Sequence, residues 1–280
     1  RLPGMITGDE AIGAAIEGAD LVLNAIVGSA GLEASLECTR RGIRLALANK
    51  ESLVVGGELL RPAIERGLVV PVDSEHSTIF RCLAGEACPP ARIVLTASGG
   101  AALGIPRDEL PSCGPERILR RPSWNMGPRI TVDSSSMVNK AFEVIEARWL
   151  FSMPGLDAIE VLIHPGSFVH SMVELADGCY KCLMGSPDMR VPIAYALSWP
   201  EMADPGCSSL FRASDDPASW PGLSFSPMDH ERYPAFGIVL EAGRTGGTAP
   251  CAANAADEVA VKAFLDGRIR FGDIARVLGE

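Results

Sequence analysis

Four short apolar runs alternate with helix-patterned stretches through the first hundred residues, and few architectures accept that order. "DLVLNAIVG" (20–28), "IRLALANKES" (43–52), "GLVVPVDSE" (67–75) and "ARIVLTASGG" (91–100) read as strands. Helical patterning occupies 8–19, "GLEASLECTRRG" (31–42) and 56–66. Strands alternating with helices predict βαβ units and a parallel sheet. In such sheets ligands collect beyond the carboxyl ends of the strands. Two polar clusters fall there, Asn49-Lys50-Glu51-Ser52 and Asp73-Ser74-Glu75-His76.

The second half has a different grain. Residues 104–129 are rich in Pro, Gly and Arg and predict a long loop, a kind of segment that is often functional. "RITVDSSSMVNKAFEVIEARWLF" predicts a short strand, a serine turn and a helix over about 136–151. Strands are expected near 158–164, 168–174 and 179–184, then a helix closed by Pro200. A Pro-, Ser- and Asp-rich stretch over 203–234 reads as a linker or crossing segment, followed by helical patterning to 280. Neither G-x-G-x-x-G nor a Walker-type turn occurs.

With 280 residues and 47% apolar content the chain can bury a sizeable core, and its length suggests roughly two domains. A net charge of −10 without a long basic run argues against nucleic acid. No apolar stretch approaches the ~20 residues of a membrane span, and no secretory signal is visible. The eight cysteines are scattered through a core-rich chain and read as reduced thiols in a cytoplasmic protein. The Cys179/Cys182 spacing has no second pair to complete a zinc site.

Asp73 and Glu75, one residue apart, would repel each other on one strand face. Hard oxygen donors paired in this way invite Mg²⁺ or Mn²⁺, with Glu143 the leading third ligand. The plainer reading is a helix N-terminus, since Asp-Ser-Glu also caps helices. Ser98-Gly99-Gly100 and Ser134-Ser135-Ser136 fit anion sites at helix starts, with Asn139 and Lys140 a turn later. Their plainer reading is serine capping, with Lys140 and Glu143 as a surface pair. Only four lysines occur, and Lys50 and Lys140 sit inside these clusters. His164 and His170 read as structural. His76 either orients the acids or is a satisfied surface side chain.

The stretches "LANKESLV", "PVDSEHSTIF", "LTASGG", "PSWNMGPRITVDSSSMVNKAFEVIEARWLF", "IEVLIHP", "GSPDMRVPIAYALSWP" and "NAADEVAVKAFL" together resemble the 1-deoxy-D-xylulose 5-phosphate reductoisomerases, in that family's order and over nearly the whole chain. The resemblance implies an NADPH-dependent, Mg²⁺- or Mn²⁺-dependent conversion of a sugar phosphate, 1-deoxy-D-xylulose 5-phosphate, to 2-C-methyl-D-erythritol 4-phosphate in isoprenoid precursor synthesis. It implies an α/β fold: a partial Rossmann-like parallel sheet (1–72), an α+β catalytic domain (73–202), a linker (203–233) and a truncated C-terminal helical domain (234–280). It also implies a homodimer. Asp73, Glu75 and Glu143 would hold the metal. Lys50, Ser74 and Glu75 would contact the substrate's hydroxyl and carbonyl region, with Lys50, Glu75 and Glu143 as the catalytic groups. Ser98, Ser134, Asn139 and Lys140 would receive the phosphate end. Asn49, Glu51 and Gly127 would lie toward NADPH, and Trp124 and Met126 would belong to a closing loop. The family's N-terminal nucleotide-binding turn and part of its C-terminal helical domain are not in this sequence, which reads as a fragment. The family's loop His-Pro is Arg121-Pro122 here, and its His-Pro-Gln-Ser is His164-Pro165-Gly166-Ser167. Two expectations follow: an active reductoisomerase, or a catalytically impaired remnant that binds metal and sugar phosphate.

Overall fold

The computed structural model describes residues 10–120, 127–210, 212, 215–216, 220 and 222–280. Arg121, Pro122, Trp124 and Met126 lie outside the described residues. The described residues open with α1 (Glu10–Ala15), β1 (Leu21–Asn24), α2 (Gly31–Arg40), β2 (Arg44–Leu47), α3 (Glu51–Glu65), β3 (Val69–Pro71) and α4 (Ser74–Leu83). Strands β1, β2 and β3 form a parallel sheet in that order. The expected parallel sheet is therefore present over the first three runs, with shorter strands than the apolar runs suggested, while the fourth run (91–100) pairs in a second sheet. Leu45, Leu47, Leu53 and Leu60 fill the core between this sheet and its helices.

Helix α3 begins at Glu51 rather than near residue 56. Gly56 interrupts it (φ −131°, ψ 24°), and its weak helix propensity hides the first turn from a pattern reading. The run expected as a strand through Glu75 stops at Pro71, and Asp73 caps α4 instead. Its carboxylate accepts a hydrogen bond from the Glu75 backbone N–H at 3.2 Å, satisfying a donor that the helix start leaves open.

The second sheet is mixed. β4 (Arg92–Ala97) pairs in parallel with β5 (Ile159–Ile163) and antiparallel with β6 (Val169–Glu174). β7 (Tyr180–Met184) adds to β6, and β8 (Ser226–Pro227) adds to β5. β4 is central, with Ile93 and Leu95 fully buried, as a strand covered on both faces requires. Residues 203–225, where described, carry no strand or helix, and β8 makes this stretch a crossing segment. Beyond β4, the described part of the expected loop forms short helical turns at Leu110–Ser112 and α5 (Pro115–Ile118).

The expected short strand at "RITV" is instead part of α6 (Pro128–Ser136). Pro128 supplies a favourable first helical residue, and Thr131 and Val132 are buried against neighbours, so packing overrides β-branched propensity. Met137, left-handed at φ 64°, breaks the chain before α7 (Val138–Leu150). α8 (Arg190–Ser198), α9 (Pro234–Thr245), α10 (Ala249–Leu265) and α11 (Phe271–Gly279) follow. Ala260, Phe264, Phe271 and Ile274 share one core with Ile93, Leu95 and Ile145.

Gly57 of α3 is where α7 presses closest: a Cβ there would fall 2.3 Å from the Trp149 indole. Gly57→Ala should lower stability in urea denaturation by about 1–2 kcal/mol, because overpacking outweighs the roughly 1 kcal/mol gained in helix propensity. Wild-type stability would show that the α3–α7 contact yields easily.

Candidate active site

A cavity of about 370 Å³ opens where the strands of the parallel sheet and β4 end. Its walls come from Ala25–Val27 after β1, Ala48–Glu51 after β2, Val72–Glu75 after β3 and Ala97–Gly99 at the end of β4. α6 and α7 close it with Arg129, Asp133, Ser134, Asn139, Lys140 and Glu143. Both polar clusters anticipated at strand ends therefore meet in one place. In register, Leu47 lies beside Pro71, which brings the residues just beyond each strand to the same level.

Asp73, Glu75 and Glu143 each present a carboxylate oxygen, and these atoms lie within 4.8 Å of one another. Lys50 Nζ lies 2.7 Å from Asp73 Oδ2 and 3.1 Å from Glu143 Oε1. Lys140 Nζ lies 2.7 Å from Glu75 Oε1 and also donates to Glu143 Oε2. Ser74 donates to Glu75 Oε2 at 2.5 Å, and Asn139 donates to Glu143 Oε1. Lys140 and Glu143 are thus a pair, as spacing suggested, but a buried one.

Burial opposes charge on both lysines, yet the facing carboxylates outweigh it. Lys50 is held well above the usual lysine range and Lys140 is pushed up to about 12. Burial likewise favours the neutral form of Asp73, and the Lys50 and His76 cations overcome it, holding this carboxyl well below its ordinary value. Glu143 moves up, through burial and then the Glu75 charge. All three acids offer hard oxygens, so the donor set fits a divalent cation such as Mg²⁺ or Mn²⁺.

A second triad, Asp73, His76 and Glu146, adjoins the first and shares Asp73. His76 is fully buried rather than a surface side chain. Its Nε2 lies 2.9 Å from the Glu143 carbonyl. Its Nδ1 lies 3.2 Å from Asp73 Oδ1 and 3.4 Å from Glu146 Oε2. Burial disfavours the imidazolium, but Glu146 and Asp73 prevail and raise its pKa to about 9. Imidazole suits softer transition metals, whereas an all-carboxylate set suits Mg²⁺ or Mn²⁺, which leaves the first triad as the candidate for a hard cation. Glu146 escaped the sequence reading, although it lies three residues from Glu143 on the same helical face.

Ser134 lines the cavity, while its neighbours are occupied internally: Ser135 Oγ donates to the Thr131 carbonyl at 2.9 Å, and Ser136 Oγ to that of Asp133 at 3.2 Å. These serines close α6, and α7 opens just beyond them at Val138, so Asn139 and Lys140 stand in its first turn, where backbone amides lack intrahelical partners. Ser98 accepts from the Gly100 amide at 3.2 Å. His164 is structural as expected, bonded to the Ser224 carbonyl at 2.8 Å and stacked on Phe225. Cys179 and Cys182 are free and exposed.

On the opposite wall Asn49 is buried. Its Nδ2 donates to the carbonyls of Ile26 at 2.6 Å and Gly28 at 2.9 Å, and its Oδ1 accepts from the Ser52 amide at 2.9 Å. Asn49 therefore fastens the loop after β1 to the start of α3, with Glu51 beside it at 3.0 Å. Gly127 immediately precedes α6 and is exposed. Arg129, unremarked in the sequence reading, lies 3.4–3.9 Å from Glu51, Asp133, Asp257 and Glu258. It joins α3, α6 and α10.

Asp257 is fully buried, and neither of its carboxylate oxygens has a hydrogen-bond partner. Burial raises its pKa to about 7 against the attraction of Arg129, with Glu258 and Glu51 adding to the rise. An acid with a raised folded-state pKa stabilises fully below its unfolded value near 3.8 and loses that contribution as pH climbs through 7. Asp257→Asn should match the wild type in thermal stability at low pH and exceed it by several degrees at pH 8. A gap that shrinks with rising pH would contradict this.

Comparison with known proteins places the chain in a family. Family models described as 1-deoxy-D-xylulose 5-phosphate reductoisomerase match residues 3–57, and as its C-terminal domain residues 69–151; a further DXP reductoisomerase C-terminal domain model matches 184–280. The Chlorobium limicola reductoisomerase is 49% identical over 265 residues, covering 94% of this chain and 68% of that protein. The Heliobacterium modesticaldum enzyme is 48% identical over 280 residues, covering 99% and 70%. Among solved structures, the Zymomonas mobilis reductoisomerase in complex with NADPH superposes with a TM-score of 0.85 at 42% identity, covering 95% of this chain and 68% of that one. A reductoisomerase complex with NADPH, fosmidomycin and magnesium gives 0.88 at 36% identity, covering 97% and 69%. The chain belongs to the 1-deoxy-D-xylulose 5-phosphate reductoisomerase family.

Proposed function

We propose that this chain carries the metal and substrate site of an NADPH-dependent enzyme that rearranges and reduces 1-deoxy-D-xylulose 5-phosphate to 2-C-methyl-D-erythritol 4-phosphate. The observation that carries the reading is the convergence of Asp73, Glu75 and Glu143 with Lys50 and Lys140 at the strand ends. Relatives at 46–49% identity bear this enzyme's name, which favours the enzyme over the impaired remnant.

Asp73, Glu75 and Glu143 would hold Mg²⁺ or Mn²⁺. When bound, the cation supplies Lewis acidity toward two substrate oxygens, and NADPH supplies the hydride. The chain's own residues position the reactant. Lys50, half-buried and held cationic, places a positive charge beside the acids, where negative charge develops on the substrate. Ser74 and Glu75 face the same region. Ser98, Ser134, Asn139 and Lys140 are assigned to the phosphate, since two hydroxyls, an amide and an ammonium suit an oxyanion; Asn139 and Lys140 also donate to the acids, so the phosphate and metal groups adjoin. Asn49, Glu51 and Gly127 are assigned to the cofactor side, and Asn49 acts by holding the loop after β1.

Residues 1–72 are assigned to the NADPH-binding domain, 73–202 to the catalytic domain, 203–233 to a linker and 234–280 to the helical domain. The separate core beneath the parallel sheet supports the first boundary. Edge strand β7 carries exposed Tyr180 and Met184, which supports a homodimer. Eight free cysteines support a cytoplasmic setting, and no helix among the described residues is long and apolar enough to cross a membrane.

Glu75→Gln should weaken Mn²⁺ binding at least about tenfold, since even outer-shell changes at metal sites cost 10–100-fold. Electron paramagnetic resonance of free Mn²⁺ during titration reads this directly. Unchanged affinity would remove Glu75 from the ligand set.

A further inference from the structure

The Ser98-Gly99-Gly100 turn is held from a distant part of the chain. Tyr233, just before α9, is 1% exposed, and its hydroxyl donates to the Gly99 carbonyl at 3.0 Å. That carbonyl and the Gly100 amide belong to one peptide plane. In a trans peptide the C=O and N–H point in opposite directions. Gripping the oxygen therefore aims the N–H, and the Gly100 N–H is what donates to Ser98 Oγ, at 3.2 Å. One peptide unit relays the Tyr233 hydroxyl to the Ser98 hydroxyl.

The relay has no slack on the remaining sides. Gly99 and Gly100 are left-handed, at φ +83° and +59°. A Cβ on Gly100 would lie 2.6 Å from the Ser135 Cα, so the turn is pressed against α6. The Ala101 amide donates to Ser135 Oγ at 3.2 Å. Arg232 secures the far end, its Nη1 donating to the carbonyls of Ala102 at 2.8 Å and Ile105 at 2.7 Å. Burial pushes the Tyr233 phenol up to about 12, so it remains a donor at any physiological pH. Its ring packs in the core, but the core needs only the ring, and the hydroxyl is spent on the turn.

We propose that Tyr233, supported by Arg232, is a positioning residue that orients Ser98 toward the phosphate-bearing end of the substrate. This rests on the assignment of Ser98 to the phosphate end. Through it the segment before α9 governs substrate binding without touching substrate.

The test uses the protein as its gene encodes it, with Tyr233→Phe, Ser98→Ala and the double variant. Phe keeps the buried ring, so the fold is preserved and is checked by thermal unfolding. Tyr233→Phe should raise KM for 1-deoxy-D-xylulose 5-phosphate by about three- to tenfold, the range commanded by one hydrogen bond. KM for NADPH and affinity for Mn²⁺ should stay at wild-type values. Ser98→Ala should raise the same KM, and the double variant should be no worse than Ser98→Ala, because the tyrosine acts through the serine. Arg232→Gln should repeat the Tyr233→Phe signature. An unchanged substrate KM in Tyr233→Phe, alongside a raised one in Ser98→Ala, would overturn the positioning role and leave the Ser98 assignment standing. Unchanged KM in Ser98→Ala would overturn the assignment itself. Effects that add in the double variant would show that Tyr233 acts by another route.

Discussion

Three carboxylates within 4.8 Å of one another are an electrostatic liability that the surrounding structure must answer. Two like charges about 4 Å apart repel by roughly 4 kcal/mol at an effective dielectric of about 20. Lys50 and Lys140 answer it, each lying between two acids. Lys50 stands at the entry to α3, Asp73 and Glu75 open α4, and Lys140 and Glu143 share a face of α7. The charge balance therefore closes only when the parallel sheet and α7 are docked. The Trp149 indole against Gly57 and the His76 bond to the Glu143 carbonyl fix that docking.

Around this centre, the remaining polar groups hold loops in place. Asn49 ties the segment after β1 to α3, and Tyr233 ties the glycine turn after β4 to the C-terminal helices. Arg129 gathers four carboxylates from three helices. Each is a buried or half-buried side chain reaching across the wall of the cavity, so the cavity's shape is set by contacts far apart in sequence. This arrangement suits an enzyme whose reactants need a dry, pre-formed space with few mobile charges.

Much of this was legible from residue pattern. The alternation of apolar runs revealed the parallel sheet, and polar clusters at strand ends located the cavity, because ligands gather there in such sheets. The acid pair could be read either as a helix cap or as metal ligands, and Asp73 is placed for both: it caps α4 and faces Glu143. The failures have physical causes. "RITV" looked like a strand because β-branching signals one, whereas burial of Thr131 and Val132 in a helix starting at Pro128 decided otherwise. Serines expected at a helix start close α6 instead, and α7 opens two residues later, after the left-handed Met137. Glu146, Arg129, Asp257 and Tyr233 matter through partners 70 to 134 residues away, and no local pattern discloses such pairings.

The proposed cation site is Asp73, Glu75 and Glu143, and not the adjoining Asp73, His76 and Glu146, which share one aspartate with them. Anomalous diffraction at the manganese edge, from crystals grown with Mn²⁺, distinguishes the two. A single strong peak is expected within about 2.0–2.3 Å of oxygens from Asp73, Glu75 and Glu143, as hard-cation coordination requires. A peak bonded to His76 and Glu146, or one remote from all five side chains, would contradict it.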